Sequence, residues 1–165
     1  SDSEGGELIF KGLEAVRTDW TLLARELQRE LYKRVFADEP LESIKAYLLL
    51  LIEQVRNGQH DAALFYRKRI RRRLDDYRRN VPPHVQAARK ADALREAKGL
   101  SPRYARGGWI EYVLTSAGAE PLSGATAPLD YELYIERQIE PIVDGIMMFR
   151  GTSFAELTDQ QLGLF

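Results

Sequence analysis

The side chains with the clearest chemical potential are basic and concentrated in residues 66–90. From Arg67 to Lys90 the chain carries ten lysines or arginines and two acids, a local charge of +8, although its overall net charge is −1. A chain that is acidic elsewhere and concentrates its positive charge in one segment presents that segment to an anionic partner, most commonly a phosphate backbone. The basic residues are Arg67, Lys68, Arg69, Arg71, Arg72, Arg73, Arg78, Arg79, Arg89 and Lys90.

The spacing of residues 64–73 predicts a short β-strand with one cationic face. Side chains alternate along a strand, so the arginines at 67, 69, 71 and 73 would share one face while Leu64, Tyr66 and Ile70 pack beneath. Neighbours on that face would stand ~6.6 Å apart, close to the phosphate spacing of one nucleic-acid strand. The alternative is a solvated charged face. Few acids lie nearby in sequence to pair with the arginines, which favours nucleic acid.

His84 follows two prolines, Pro82 and Pro83, at the predicted start of a helix over residues 83–98. A helix N-terminus offers free N–H groups and the positive end of its dipole, and therefore suits a phosphate. His84 would donate to that phosphate, with Arg89 and Lys90 nearby. The alternative is a histidine hydrogen-bonded within its own loop.

The chain ends on the apolar sequence QLGLF, residues 161–165. Large apolar residues are unusual at a terminus, because chain ends generally fray into water. One interpretation is a tail folded onto the domain's own surface. The other is a linear peptide that inserts Leu162, Leu164 and Phe165 into pockets of a partner, with the amide of Gln161 setting the register. The residues alone do not separate the two.

No catalytic constellation is recognisable. The chain has no phosphate-binding glycine loop, no HExxH or GxSxG motif, no cysteine and two histidines, His60 and His84. It also lacks a close Asp-x-Asp pair of the kind that holds two magnesium ions. We therefore predict no catalytic residue, metal site or cofactor in this chain.

Around these features the patterning predicts a mainly α protein with a few short β-strands, an α+β fold. An amphipathic helix capped by Thr18 or Asp19 should run to Phe36, and Leu94 should face inward from the helix that follows Pro83. Pro141 should kink the last long helix near Arg137. The predicted helices are 19–36, 41–57, 83–98 and 130–150; the predicted strands are 7–14, 64–73 and 109–115; residues 117–128 are a predicted loop.

The longest apolar run, residues 46–52, is too short to cross a bilayer, and the N-terminus lacks the basic-then-apolar order of a signal peptide. We expect a soluble cytoplasmic protein with no membrane contact.

Five segments together resemble the C-terminal part of family B DNA polymerases, and in particular its bacterial members. They are KGLEAVRTDW (11–20), YRKRIRRRLDDYRRNVPPHVQAARK (66–90), GGWIEYVLT (107–115), DYELYIERQIEPIVDGI (130–146) and the terminal QLGLF. Their order and their coverage of nearly the whole chain make the resemblance specific.

The resemblance implies that residues 1–18 are the end of the palm domain, residues 19–150 the thumb and residues 151–165 a tail. A thumb of this family grips primer–template duplex DNA by sequence-independent backbone contacts. The tail resembles the peptide that docks bacterial polymerases on the sliding clamp, with Gln161, Leu162, Leu164 and Phe165 as its contacts. The DNA-holding positions are Tyr66, Arg67, Lys68, Arg69, Arg71, Tyr77, Pro83, His84 and Arg89; Arg72, Arg73 and Lys90 are added on charge and position.

The resemblance also implies limits on what the chain does. The parent protein would be a DNA-directed DNA polymerase that uses Mg²⁺, works in DNA replication and repair and associates with the bacterial nucleoid. This chain lacks the Asp-Thr-Asp-type metal motif of the palm and should be inactive alone. Its partners would be the duplex, the clamp and the remaining palm, fingers and exonuclease domains.

Two alternatives of other classes remain at this point. One is a protein-interaction adaptor whose main ligand is the sliding clamp and whose basic segment is a structural patch. The other is an RNA-binding regulator, which is disfavoured because aromatic residues suited to base stacking are not clustered with the arginines.

Overall fold

A computed structural model describes residues 20–159, which divide between two compact units. The first unit holds residues 20–63 and 131–159, and the second holds residues 64–130. The first is helical and the second combines one long helix with a three-stranded antiparallel sheet, so the predicted α+β class is confirmed. The regular elements are α1 (Leu22–Phe36), α2 (Leu41–Arg56), β1 (Tyr66–Ile70), α3 (Pro83–Ala97), β2 (Gly108–Thr115), β3 (Gly118–Pro121), α4 (Tyr131–Tyr134), α5 (Glu140–Met147) and α6 (Phe154–Thr158).

The first unit is built around the apolar stripe of α1. Leu23, Leu27 and Leu31 recur at four-residue steps, are buried, and lie on the helix that packs most closely against α5. Each such leucine contributes about 1.5–3 kcal/mol by leaving water. The predicted helix is confirmed, but its predicted cap is wrong: Thr21, rather than Thr18 or Asp19, accepts the N–H of Ala24 through its hydroxyl.

The last long helix is interrupted in front of Pro141. Residues Ile135–Ile139 form a π turn between α4 and α5. Pro141 has no N–H to donate to the carbonyl of Arg137 four residues earlier, so an ordinary α-helical ladder breaks here. The prediction that Pro141 disturbs the helix near Arg137 is confirmed. The helical run then ends at Gly151, which adopts a left-handed conformation.

The sheet of the second unit has the strand order β1-β2-β3. Tyr66 pairs with Tyr112 and Ile70 with Gly108, and the hairpin then returns through Thr115 and Gly118. The predicted strands at β1 and β2 are confirmed. β3 lies in a segment predicted as loop, and that prediction is wrong. Its four residues carry little strand propensity and are held by their pairing with β2.

α3 begins at Pro83 and ends before Gly99, whose φ of +75° suits a residue without a side chain. Both ends agree with the prediction. Its buried face differs, because Asp92 is buried while Leu94 is 46 % exposed. The prediction that Leu94 faces the core is therefore wrong.

Three predictions fall outside the described residues. They concern the strand over residues 7–14, the palm remnant over residues 1–18 and the terminal peptide over residues 161–165.

Candidate nucleic-acid interface

The basic strand is shorter than its sequence predicted. β1 ends at Ile70, because β2 begins at Gly108, the partner of Ile70, and leaves no strand opposite the residues that follow. Arg67 and Arg69 therefore share a strand face. Arg71, Arg72 and Arg73 lie in an irregular segment, exposed to solvent, and the prediction of four arginines in one row is wrong.

Beneath the exposed cations, β1 is anchored by its aromatic and aliphatic residues. Tyr66 is buried, and its ring stacks on that of Tyr112 with centroids 5.1 Å apart. Leu64 and Ile70 are also buried. Tyr66, predicted to contact DNA, thus has its ring in the core of the unit.

Arg67 lies against Trp109 of β2. Its guanidinium carbon is 4.2 Å from the centroid of the indole ring, a cation–π distance. Arg69 is directly opposite Trp109 in the strand register. This tryptophan is 51 % exposed, so the arginines and the ring together form a solvent-facing surface.

Lys68, Arg72, Tyr77 and His84 form a second group, which we call the His84 cluster. The Arg72 guanidinium carbon is 4.4 Å from the centroid of the Tyr77 ring, and the same ring meets His84 edge-on with centroids 6.3 Å apart. Lys68 is close enough to act on the charge of His84. The structure thus assembles four of the predicted residues from β1, the segment after it and the start of α3.

His84 is the buried member of this cluster. It is 5 % exposed, and its Nδ1 atom has no hydrogen-bond partner among residues 20–159. Burial lowers the pKa of the imidazole and the charge of Lys68 lowers it further, because both disfavour imidazolium. An anion placed here would supply the missing partner and raise that pKa.

Arg89 and Lys90 are engaged within the protein. An Nη atom of Arg89 donates to the carbonyls of Leu74 (2.9 Å) and Tyr77 (2.6 Å), and Lys90 Nζ donates to the carbonyl of Ala117 (3.1 Å). Arg89 therefore holds the short 3₁₀ turn Leu74–Asp76 and the segment that carries Tyr77. Both were predicted as DNA contacts, and their contacts here support the surrounding loops.

Sequence reasoning missed two residues that shape this surface. Asp92 is buried and accepts the backbone N–H groups of Arg103 (2.8 Å) and Tyr104 (3.1 Å), which fixes the loop before β2. Trp109 was recognised as a strand residue but not as a surface ring. The role of Asp92 could have been predicted from its position about ten residues before a Gly-rich loop, whose backbone N–H groups need an acceptor.

Gly107 closes the β1–β2 junction. Its φ is +99°, and an added Cβ would lie 2.6 Å from the carbonyl oxygen of Ile70, closer than atoms can approach. Only glycine allows this backbone contact, which explains one of the paired glycines before Trp109.

Two further expectations can be placed against the described residues. Among residues 20–159, no cluster of three or more His, Cys, Asp or Glu side chains could hold a metal ion. Within the same range, no helix combines the length and apolar composition needed to cross a membrane. The proposed clamp contacts Gln161, Leu162, Leu164 and Phe165 lie beyond the described part of the chain.

The fold and the cationic surface describe an α+β module suited to an anionic polymer, and comparison with known proteins identifies its family. Residues 1–148 match the family model for DNA polymerase family B. The chain belongs to DNA polymerase family B, which confirms the resemblance found in its motifs.

Individual relatives agree with this assignment. The chain is 49 % identical over 158 residues to DNA polymerase II of Escherichia coli K12, covering 96 % of this chain and 20 % of that protein. It is 31 % identical over 157 residues to DNA polymerase 2 of Aeropyrum pernix, covering 90 % of this chain and 19 % of that one. The chain therefore spans about a fifth of the length of these relatives.

The fold has a counterpart among solved structures. The family B DNA polymerase of Pyrobaculum calidifontis matches with a TM-score of 0.58 and 24 % sequence identity. The match covers 78 % of this chain and 17 % of that one.

Proposed function

We propose that this chain supplies the thumb of a family B DNA-directed DNA polymerase and grips primer–template duplex DNA through its phosphates. The observation that carries the proposal is the His84 cluster. It combines a buried imidazole nitrogen without a partner, two exposed cations and the N-terminal end of α3, an arrangement that suits a phosphate oxygen. Family membership supports the same conclusion.

Arg71 and Arg73 flank Arg72 and extend this surface. Both are exposed and form no ion pair within residues 20–159, so their charges are available to a phosphate backbone. Phosphate contacts of this kind fix a protein's position on a duplex without reading its sequence. Arg67 and Arg69 add charge beside Trp109, while Arg89 and Lys90 stabilise the loops that present the cluster.

The division of labour within the polymerase is part of the proposal. Residues 1–18 complete the palm, residues 19–150 form the thumb and residues 151–165 form a tail. Polymerisation belongs to the longer protein, which would use Mg²⁺ in replication or repair in the bacterial cytoplasm. We assign its ligands to the rest of the palm, because this chain lacks the Asp-Thr-Asp-type motif that the resemblance leads us to expect there.

The terminal peptide would tether the polymerase to the sliding clamp. Gln161 would hydrogen-bond at the rim of a pocket, and Leu162, Leu164 and Phe165 would fill it. Deleting residues 161–165 should abolish binding of the chain to its clamp in surface plasmon resonance and leave duplex binding unchanged. Loss of both activities would contradict this division.

The grip is tested by exchanging three cations. The variant Lys68→Gln/Arg71→Gln/Arg72→Gln should weaken binding to a fluorescent primer–template duplex, measured by anisotropy at 50 mM salt, by at least about tenfold. The matched control is Arg25→Gln/Arg29→Gln/Lys33→Gln, which removes three exposed charges from α1. Equal losses in both variants would show a non-specific charge effect and overturn the assigned site.

A further inference from the structure

A second surface of the sheet-containing unit has features that a phosphate grip does not explain. It is a cleft of about 630 Å³ between the C-terminal half of α3, the loop before β2, the sheet and the turn after β3. Arg67 borders it, whereas the neighbouring Lys68 belongs to the His84 cluster. Adjacent strand residues project to opposite faces, so β1 contributes to the two sites with different side chains.

The lining of the cleft is apolar and exposed. Leu94, Leu100, Trp109 and Leu122 all line it, and each exposes between 42 % and 51 % of its surface. Four large apolar side chains gathered in one concave site, rather than scattered singly, mark an interaction surface. Tryptophan and leucine side chains of this kind supply the buried centre of a protein–protein contact.

The cleft is also cationic. Arg67, Arg95, Lys98 and Arg103 surround the apolar floor, and Glu111 is the one acid in the lining. Within residues 20–159, none of the four forms an ion pair with a carboxylate. No carboxylate among those residues therefore neutralises the four cations that line the cleft.

The walls are held in place before any partner binds. Asp92 anchors the backbone of Arg103 and Tyr104, and Arg95 Nε donates to the carbonyl of Ser101 at 2.8 Å. A site whose loop is already ordered loses little conformational entropy on binding.

We propose that this cleft docks an acidic peptide segment of a partner protein, with apolar side chains seated on Leu94, Leu100 and Leu122 and carboxylates facing the four cations. This goes beyond the thumb function and does not depend on it. Nucleic acid is the weaker occupant for two reasons. The floor is mainly aliphatic, whereas bases stack on aromatic rings, and Arg67 already covers one face of Trp109.

The test uses the 165-residue chain and a fluorescein-labelled decapeptide that alternates aspartate with leucine and phenylalanine. Micromolar binding is expected by anisotropy. It should fall at least about tenfold when asparagine replaces aspartate in the peptide, and similarly when alanine replaces leucine and phenylalanine. Binding should also change the intrinsic fluorescence of the wild-type chain, and Trp109→Phe should remove that change.

Two variants locate the site. Lys98→Glu, at the exposed C-cap of α3, and Leu94→Ser, at an exposed position within α3, should each weaken peptide binding at least about fivefold. The matched controls are Lys33→Glu on α1 and Leu50→Ser on α2, which are also exposed and should bind normally. Circular dichroism melting curves that coincide with wild type confirm that the variants fold.

The outcomes separate this proposal from the DNA grip. The Lys68/Arg71/Arg72 variant should keep peptide binding, and Lys98→Glu should keep duplex binding within about twofold. Peptide binding that is absent, or is equally weakened by cleft and control variants, would overturn the proposal. Tighter binding of a labelled oligothymidylate than of the peptide, lost in Lys98→Glu, would overturn it in favour of single-stranded DNA.

Discussion

At the scale of single residues, two buried polar side chains stand out because they have polar atoms without hydrogen-bond partners among the described residues. His84 is buried with Nδ1 unpartnered within the described residues, and Gln28 is fully buried with neither amide atom hydrogen-bonded there. An unsatisfied buried polar group costs about 1–3 kcal/mol. For His84 a phosphate offers compensation, whereas Gln28 lies on α1 among the leucines of the helical unit.

His84 makes a pH-dependent prediction. Its pKa is lowered in the free protein, by burial first and then by Lys68 on β1; Tyr77 is its aromatic neighbour. A bound phosphate favours imidazolium, so binding should take up a proton. Duplex affinity, measured by anisotropy at constant ionic strength, should therefore rise from pH 8 to pH 6, by up to about tenfold for each pKa unit that binding restores.

The control for this measurement is the other histidine. His60 hydrogen-bonds Gln54 in the helical unit, and His60→Gln should leave the pH profile unchanged, while His84→Gln should flatten it. In the absence of DNA, the stability of the fold should depend on pH in the opposite direction to duplex affinity. A lowered histidine pKa means that the unfolded chain binds more protons, so the free energy of unfolding falls as pH drops below about 6.5.

Two buried glutamines should respond oppositely to the same substitution. Gln28→Met removes an amide with no partner among the described residues and should raise the free energy of unfolding by about 1 kcal/mol. Gln138→Met removes the acceptor of two hydrogen bonds from Thr21, at 2.9 and 3.0 Å, and should lower it by about 1–3 kcal/mol. Urea denaturation measures both; destabilisation by Gln28→Met would reveal a partner for its amide.

At the scale of elements, several loops and turns are held in place by hydrogen bonds to side chains from other elements, and not by conformational preferences of their own residues. Thr21 caps α1 and also bonds Gln138 of the π turn, 117 residues away. Arg89 holds the 3₁₀ turn after β1, and Asp92 holds the loop before β2. These contacts explain how segments without strong propensity present a defined surface.

Glu120 gives the element-scale prediction. Its carboxylate accepts the hydroxyl of Thr115 at 2.6 Å and the backbone N–H groups of Thr126 and Ala127 at 3.3 Å, and so joins β3 to the following loop. The Thr115 hydrogen bond is the main cause of its lowered pKa, with burial opposing. Because the pKa of this carboxyl is lower in the folded than in the unfolded chain, its ionised form stabilises the fold at pH values above the unfolded-state pKa of about 4.3. That stabilisation is lost as the pH falls through the folded-state pKa.

Glu120→Gln should therefore lower the free energy of unfolding at pH 7 by about 1–3 kcal/mol, measured by urea denaturation. The difference from wild type should shrink at pH 3. Glu111→Gln, at an exposed position on the neighbouring strand, is the control and should change stability by less than about 0.5 kcal/mol. A pH-independent effect of Glu120→Gln would contradict the role assigned to its charge.

At the scale of the whole molecule, the charge distribution sets the physics of binding. The chain has a net charge of −1, yet its second unit carries the +8 segment. Under the proposed function, attraction to DNA would therefore be local, and the acidic remainder would limit non-specific adhesion.

Binding should accordingly be steeply salt-dependent and indifferent to base sequence. The logarithm of the duplex affinity should fall by about 0.9 per logarithmic unit of salt for each phosphate neutralised. Removing the Lys68, Arg71 and Arg72 charges should reduce the magnitude of that slope by up to about 2.7, the contribution of three phosphates, equally on duplexes of different sequence. Anisotropy titrations from 50 to 200 mM salt measure it, and a variant with an unchanged slope would contradict phosphate contact.

Much of the fold could be predicted from the sequence, because the boundaries of its helices depend on residues that are close together along the chain. Pro83 and Gly99 bracket α3 through their own backbone preferences, and Pro141 disturbs its helix by lacking an N–H. For the candidate site, the sequence predicted which residues take part but not how they are arranged. Which arginines share a face depends on where β1 ends. The end of β1 is set by the start of its partner strand β2, some forty residues later in the chain.

The sequence by itself determined the family, the α+β class, the main helices and the position of the cationic segment, because periodicity, punctuation by proline and glycine, and charge are local properties. Tertiary structure alone decided the cap at Thr21, the strand β3, the burial of Asp92 in place of Leu94, the unpartnered Nδ1 of His84 and the cleft beside Trp109. Each of these depends on hydrogen bonds or packing between residues distant in sequence. A linear pattern does not encode which distant group will meet a given donor, acceptor or apolar surface.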